Sequence, residues 1–285
     1  MAQLFEGRVA VVAGAARPPG MGFALARRLA AGGASVHCVD AVGPQPDGGY
    51  DTGIVSADVL ESVATEVGAA SLVGVANPPI AVDPADPTAW ERAVAEVLAR
   101  EGRVDIGCPF MGTTGPYAGD GDLLDIGLDS WRRCYQVNVE TPLLFGRACA
   151  ADMVAREAAG VLCFLSSYSA VVGPAGNGAI ASARAALNHL VEVMAMELGP
   201  RGIRVNAVQP LSVQSGDPRF PNPGLRRLAD REAPELGQWV QHNLPLGRPQ
   251  RPDETAAVAA FLCSDDASFV SGVSVPVAGG SHTHS

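Results

Sequence analysis

The chain has 285 residues, 47% of them hydrophobic and 18% charged, which is enough for one α/β domain with a full core and too little for two large ones. The same composition excludes a disordered or collagen-like protein. A formal charge of -10, from 30 acidic and 20 basic residues, leaves no basic surface for phosphate-backbone contacts, so nucleic acid is not an expected partner.

Val9–Ala13 is a short apolar run before the glycine-rich residues 14–22, and 23–31 has helical composition with Arg27 and Arg28 on its polar side. The chain therefore opens as strand, glycine turn, helix. A second buried strand at 35–39 ends beside Asp40, and the Gly- and Pro-rich stretch that follows predicts a loop. The pattern then predicts a helix at 58–67, a strand at 72–75, a helix at 87–100 and a strand at 104–111 interrupted by Pro109. A long helix at 130–156, a strand at 160–165, a helix at 181–198 and a strand at 203–208 continue the alternation. This repetition predicts a single-domain Rossmann-like α/β fold, a doubly wound parallel sheet of about seven strands with helices on both faces. From 211 to 248 the pattern lapses into Pro, Gly and charge, as a substrate lid does, before a last helix at 253–262, a strand at 273–277 and a flexible tail at 281–285.

All the basic residues are arginine, so chemistry that needs an ammonium or a Schiff base is ruled out. Cys38, Cys108, Cys134, Cys149, Cys163 and Cys263 form no C-x-x-C pair and read as reduced core thiols of a cytosolic protein, with no metal framework. The first residues carry no basic flank and apolar h-region, and no run reaches eighteen apolar residues, so a soluble cytoplasmic chain away from membranes is expected.

The segments AGAARPPGMG, Asp40 after the second strand, Asn138 in WRRCYQVNV, LSS at 165–167, GPRGIRVNAVQP and LGRPQRPDETAAVAAFLCSDDASFVSG resemble, in that order, the short-chain dehydrogenase/reductase family over nearly the whole chain. The resemblance implies a homo-oligomer, usually a tetramer, that binds NAD(H) or NADP(H) and a small-molecule substrate. It also implies an Asn-Ser-Tyr-Lys set that moves a proton while hydride moves to or from a carbinol carbon. Asn138 and Ser167 match that set. Thirteen residues after Ser167, where the family has tyrosine, stands Ile180, and four further on Arg184 replaces the lysine. Isoleucine has no proton to give, and losing a general acid costs about 100-fold to 10,000-fold in rate. Arginine still donates hydrogen bonds, but from a planar fork that stays charged.

Further departures lie at the nucleotide site. Ala13 precedes the first glycine, Pro18 and Pro19 remove N–H donors from the turn, and the N-N-A-G of the family reads Pro109, Phe110, Met111, Gly112. Leu211 follows Pro210 after the sixth strand. Against these, Gly14, Gly20, Gly22 and Gly112 are kept, Asp83 matches the adenine position, and Asp40 would accept from a ribose 2′-hydroxyl and repel a 2′-phosphate. Any dinucleotide is thus expected to be NAD(H), with no cofactor at all as the other reading.

Losses gathered at the chemistry lead to a first expectation of a repurposed enzyme of specialised metabolism, doing cyclisation, dehydration or rearrangement on an apolar oxygenated metabolite. Ser167 and Arg184 would stabilise an anion, and Phe110, Met111, Ile180 and Leu211 would line an apolar pocket. The alternatives are an NAD-dependent oxidoreductase whose proton comes from Tyr117, water or the substrate, and a catalytically silent subunit that binds a ligand or a partner. Bland readings stand beside these: the glycines can serve packing alone, Ser167 can cap backbone, Asn138 can bridge a helix kink, and Arg184 can be an ion-pair partner. Tyr168 would point away from Ser167 in extended backbone, His189 reads as a packed or interface histidine, and His282 and His284 have no metal partner in view.

Overall fold

The computed structural model describes residues 4–43, 54–72, 76–83, 86, 88–113, 119–211, 213 and 242–281. Among them are β1 (Val9–Ala13), β2 (Ser35–Ala41), β3 (Ile80–Val82), β4 (Ile106–Pro109), β5 (Gly160–Leu165), β6 (Ile203–Pro210) and β7 (Ser274–Val277), which form one parallel sheet in the order β3-β2-β1-β4-β5-β6-β7. The described helices are α1 (Met21–Ala31), α2 (Ala57–Ala69), α3 (Ala89–Glu101), α4 (Leu128–Tyr135), α5 (Thr141–Ala155), α6 (Gly178–Leu198) and α7 (Pro252–Cys263).

The strands are apolar on both faces because helices cover both. Ala10 and Val12 of β1, Cys38 of β2, Ile106 of β4 and Cys163 of β5 turn toward α1, α2 and α7. Their neighbours Val11, Val39, Leu162 and Phe164 turn toward α3, α5 and α6. On that second face Trp90 of α3 meets the Phe145 ring of α5 edge-on, with centroids 6.4 Å apart. The six cysteines are free of disulfides and buried, five of them in these layers and Cys134 between α4 and α6. No described helix is long and apolar enough to cross a membrane.

Three elements differ from the sequence expectation. The third strand is Ile80–Val82 and not 72–75: Leu72 lies in an exposed turn, and 73–75 fall outside the described residues. Asn77 explains the shift, because its amide donates to Val36 O (3.1 Å) and Ser35 Oγ (2.9 Å), so β3 joins the β2 ladder only from Val39 onward. Pro109 ends β4 instead of interrupting it, since the ladder beyond resumes with Phe110 N–H donating to Ala13 O. The long helix at 130–156 is split by a π-helical turn at Gln136–Glu140, where Thr141 N–H reaches back five residues to Gln136 O.

The chain leaves β1 toward β2 on one side and later returns to β4 on the other. The carboxyl ends of β1 and β4 therefore flank the crevice where a doubly wound sheet binds ligands. Of the expected lid at 211–248, residues 212 and 214–241 lie outside the described residues, as do Tyr117 and residues 282–285 with His282 and His284.

Candidate active site

The turn after β1 is built on close backbone approach. Gly14 has φ +80°, and a Cβ there would stand 2.6 Å from Phe110 O; a Cβ on Gly22 would stand 2.2 Å from Gly14 O. These contacts seat the amino end of α1 directly on β1. Its N-cap, Gly20, makes no side-chain capping bond, and Gly20 N–H closes the turn onto Arg17 O. An α-helix start of this kind presents N–H groups and the positive end of its dipole.

Asp40 is buried at the end of β2 and faces this turn. Its Oδ2 accepts from Ala16 N–H at 2.7 Å and its Oδ1 from Ala41 N–H at 2.8 Å. A carboxylate offers about four acceptor sites, more than these two contacts use. Asp83 is exposed just past β3. Phe110 is 3% exposed and packs in the core layer that also holds Ala15, Ala16 and Phe23.

Beyond β4 a second group of side chains converges. Asn138, at the centre of the π turn and fully buried, takes Thr113 N–H on Oδ1 (3.3 Å) and donates through Nδ2 to Thr113 O (3.1 Å) and Cys134 O (2.9 Å). The last bond claims a carbonyl that an α-helix would give to the backbone N–H of residue 138, which accounts for the widened turn. Arg184 enters from α6 and donates to Leu165 O at the end of β5 and, at 3.3 Å, to Met111 O. Among the described residues it makes no ion pair and its Nε finds no partner, and burial pulls its guanidinium down to about 10. Gly112 lies between them: a Cβ at 112 would meet Arg184 Nη2 at 1.9 Å and Asn138 Oδ1 at 2.9 Å.

Ser167 is half-buried, with extended backbone (φ −151°, ψ 149°), and its Oγ accepts from Ser169 N–H (3.2 Å) and Ser169 Oγ–H (2.9 Å). Tyr168 beside it is buried. The residues expected to line an apolar pocket are placed differently. Met111 packs in the layer under α3, α5 and α6, and Ile180, 3% exposed, packs with Cys134, Val139, Ala179 and Ala183 between α4 and α6. Apolar side chains at these positions gain more by closing against helices than by facing a cleft. Leu211 is partly exposed, its N–H bonded to Val277 O. A cavity of about 470 Å³ lined by Arg8, Gly160, Ile203, Arg204, Asp265 and Phe269 lies at the amino ends of β5 and β6, across the sheet from all these groups.

A family model described as Enoyl-(Acyl carrier protein) reductase matches residues 14–282. Meso-2,3-butanediol dehydrogenase of Serratia marcescens is 29% identical over 97% of this chain and 95% of its own length. A short-chain type dehydrogenase/reductase of Mycobacterium ulcerans superposes with a TM-score of 0.83 at 27% identity, over 99% of this chain and 92% of its own. This chain belongs to the short-chain dehydrogenase/reductase family. A 7α-hydroxysteroid dehydrogenase, solved with NADH and 7-oxo glycochenodeoxycholic acid, aligns with a TM-score of 0.77 at 27% identity, covering 97% of this chain and 94% of that one.

These relatives are named as ordinary oxidoreductases, and they overturn the expectation of cyclisation, dehydration or rearrangement. The reading built on Ile180 and Arg184 gave those two positions more weight than the rest of the site. One residue the sequence reading missed is Asp120, which stands buried in the segment after β4. Its only sequence signal was an acidic residue among the glycines of AGDGD.

Proposed function

We propose that this chain is an NAD(H)-dependent oxidoreductase that interconverts a secondary alcohol and a ketone on a small, largely apolar metabolite. The observation that carries this reading is the joint built by Gly14, Gly22 and Asp40: backbone contacts too tight for a Cβ, an uncapped helix start, and a carboxylate facing the same turn. These residues fit a dinucleotide, with its pyrophosphate at the start of α1 and its adenosine ribose toward Asp40. Phe110 supports the fit, since its ring belongs to the core.

NAD(H), when bound, supplies or accepts the hydride. The chain's own residues hold and orient. Asp40 selects against a 2′-phosphate by charge, Asn138 fixes the loop that carries Gly112, and Ser167 Oγ is the hydroxyl at the end of β5 that can donate to a substrate oxygen. On the family resemblance Ile180 and Arg184 stand where tyrosine and lysine are expected, and on this reading the substrate proton travels by another group. Arg184 locks the ends of β4 and β5 together and keeps a positive charge beneath the site. Exposed Leu128 on α4 and Val193 and Met196 on α6 support association of like chains through these helices.

Thermal-shift titration with NAD, NADH, NADP and NADPH, confirmed by calorimetry, tests the reading. A ligand at 100 times its Kd adds about 2.7 kcal/mol. Stabilisation by NAD or NADH and not by the phosphorylated forms is the expected outcome; indifference to all four refutes the reading.

A further inference from the structure

With hydrocarbon at position 180, the hydroxyl proton of an alcohol substrate needs a new destination, and the segment after β4 carries an aspartate past the residues that lead into that position. Asp120 is 9% exposed. Its neighbours on both sides are stapled to the residues that lead into Ile180. Gly121 N–H donates to Gly176 O at 2.8 Å and pairs with Asn177 in a parallel bridge. Gly119, at φ +82°, lies so close to α6 that a Cβ there would stand 2.7 Å from the Ala179 Cβ. Residues 119–121 therefore run along 176–179, one residue short of position 180.

The electrostatics agree with that placement. The Cys134 thiol, pushed up to about 11 chiefly by burial, feels the Arg184 guanidinium as a lowering influence and the Asp120 carboxyl as a raising one. One buried sulfur on α4, itself 3.5 Å from Asn138 Nδ2, thus senses both groups. Among the described residues, Cys134 is a titratable group on which both Asp120 and Arg184 act, and residues 176–179 and Ser130, which pack on the same segment, carry no charge.

We infer that Asp120 is the catalytic base of this enzyme, taking the hydroxyl proton of a secondary alcohol and returning it in the reverse direction. The inference rests on the oxidoreductase reading above. In the step, the O–H bond of the alcohol breaks and its proton passes to an Asp120 carboxylate oxygen. The electron pair left behind forms the C=O bond while the carbinol C–H bond breaks and hydride passes to NAD⁺, which is reduced to NADH. A carboxylate suits this role without a lysine, because it takes the proton directly on its own oxygen.

The test is NMR of the full-length protein labelled with [13Cγ]aspartate and saturated with NAD⁺, the Asp120 signal being identified by its loss in Asp120→Asn. Cyclohexanol and meso-2,3-butanediol are the alcohol probes, and Asp120→Glu is the conservative variant. The inference expects the Asp120 resonance to move on addition of an alcohol. Turnover should fall about 100-fold or more in Asp120→Asn, with partial recovery in Asp120→Glu and NAD⁺ affinity within about twofold of the parent. An Asp120 signal that stays fixed through both titrations, or an Asp120→Asn variant that turns over an alcohol at the parent rate, overturns it. Failure of the parent to bind NAD⁺ in the preceding calorimetry is a separate result, which refutes the oxidoreductase reading itself.

Discussion

Arg184 and Gly112 fit together with no room for a further atom: Nη2 of the arginine occupies the space a Cβ at 112 would need. The same guanidinium spans Leu165 O and Met111 O, so the carboxyl ends of β4 and β5 are held by a side chain where neither strand supplies the bond. A Gly112→Ala substitution is expected to displace the guanidinium and to cost about 1–3 kcal/mol, read as a shift of the urea midpoint with an unchanged slope. Arg184→Ala should cost more, about 2–4 kcal/mol, because it leaves a void and strands two buried carbonyls.

Asn138 holds the π turn through its bond to Cys134 O and the loop after Gly112 through Thr113. Asn138→Ala should destabilise the fold by about 1–3 kcal/mol and loosen that loop. Hydrogen exchange at the Thr113 amide provides the check, with protection lost in the variant and kept elsewhere in the sheet.

A tyrosine at position 180 is expected to harm the protein. Ile180 fills a closed cluster with Cys134, Val139, Ala179 and Ala183, and a tyrosine ring exceeds that space. Ile180→Tyr should cost about 1–3 kcal/mol by overpacking, whereas Ile180→Val should cost about 0.5–1.5. Denaturation midpoints of the two variants decide, and an Ile180→Tyr protein as stable as its parent would contradict the closed cluster.

Asp40→Asn keeps an oxygen for Ala16 N–H while removing the charge. The expected outcome is an NADH affinity lower by about tenfold and a narrowed gap between NADH and NADPH. Calorimetry with both nucleotides measures each part.

His37 makes stability depend on acidity. Burial depresses its basicity, and the hydrogen bond to Glu101 Oε1 at 2.8 Å offsets this only in part, so the folded ring takes up a proton less readily than an ordinary histidine. The unfolded chain binds the proton more readily, and stability contributed by the neutral ring is complete above the ordinary histidine value of about 6.5 and lost as pH falls through it. Thermal midpoints of the parent should therefore drop between about pH 7 and 5 more steeply than those of His37→Gln.

The alternation of apolar runs and helical segments determined the parallel sheet, the placement of the glycine turn after β1 and the family, because those features are local in sequence and each run of residues carries its own period. What the sequence left open was decided by contacts between distant elements. The direction of the Phe110 ring depends on α1, the closure around Ile180 depends on α4, and the start of β3 depends on Asn77 reaching β2. Asp120 is marked in the sequence only as an acid among the glycines of AGDGD, and the bridge from Gly121 to Asn177 brings its segment beside α6. Burial and proximity arise when elements pack, so residues 180 and 184 read in isolation say little, while the fold shows which other side chains share their space.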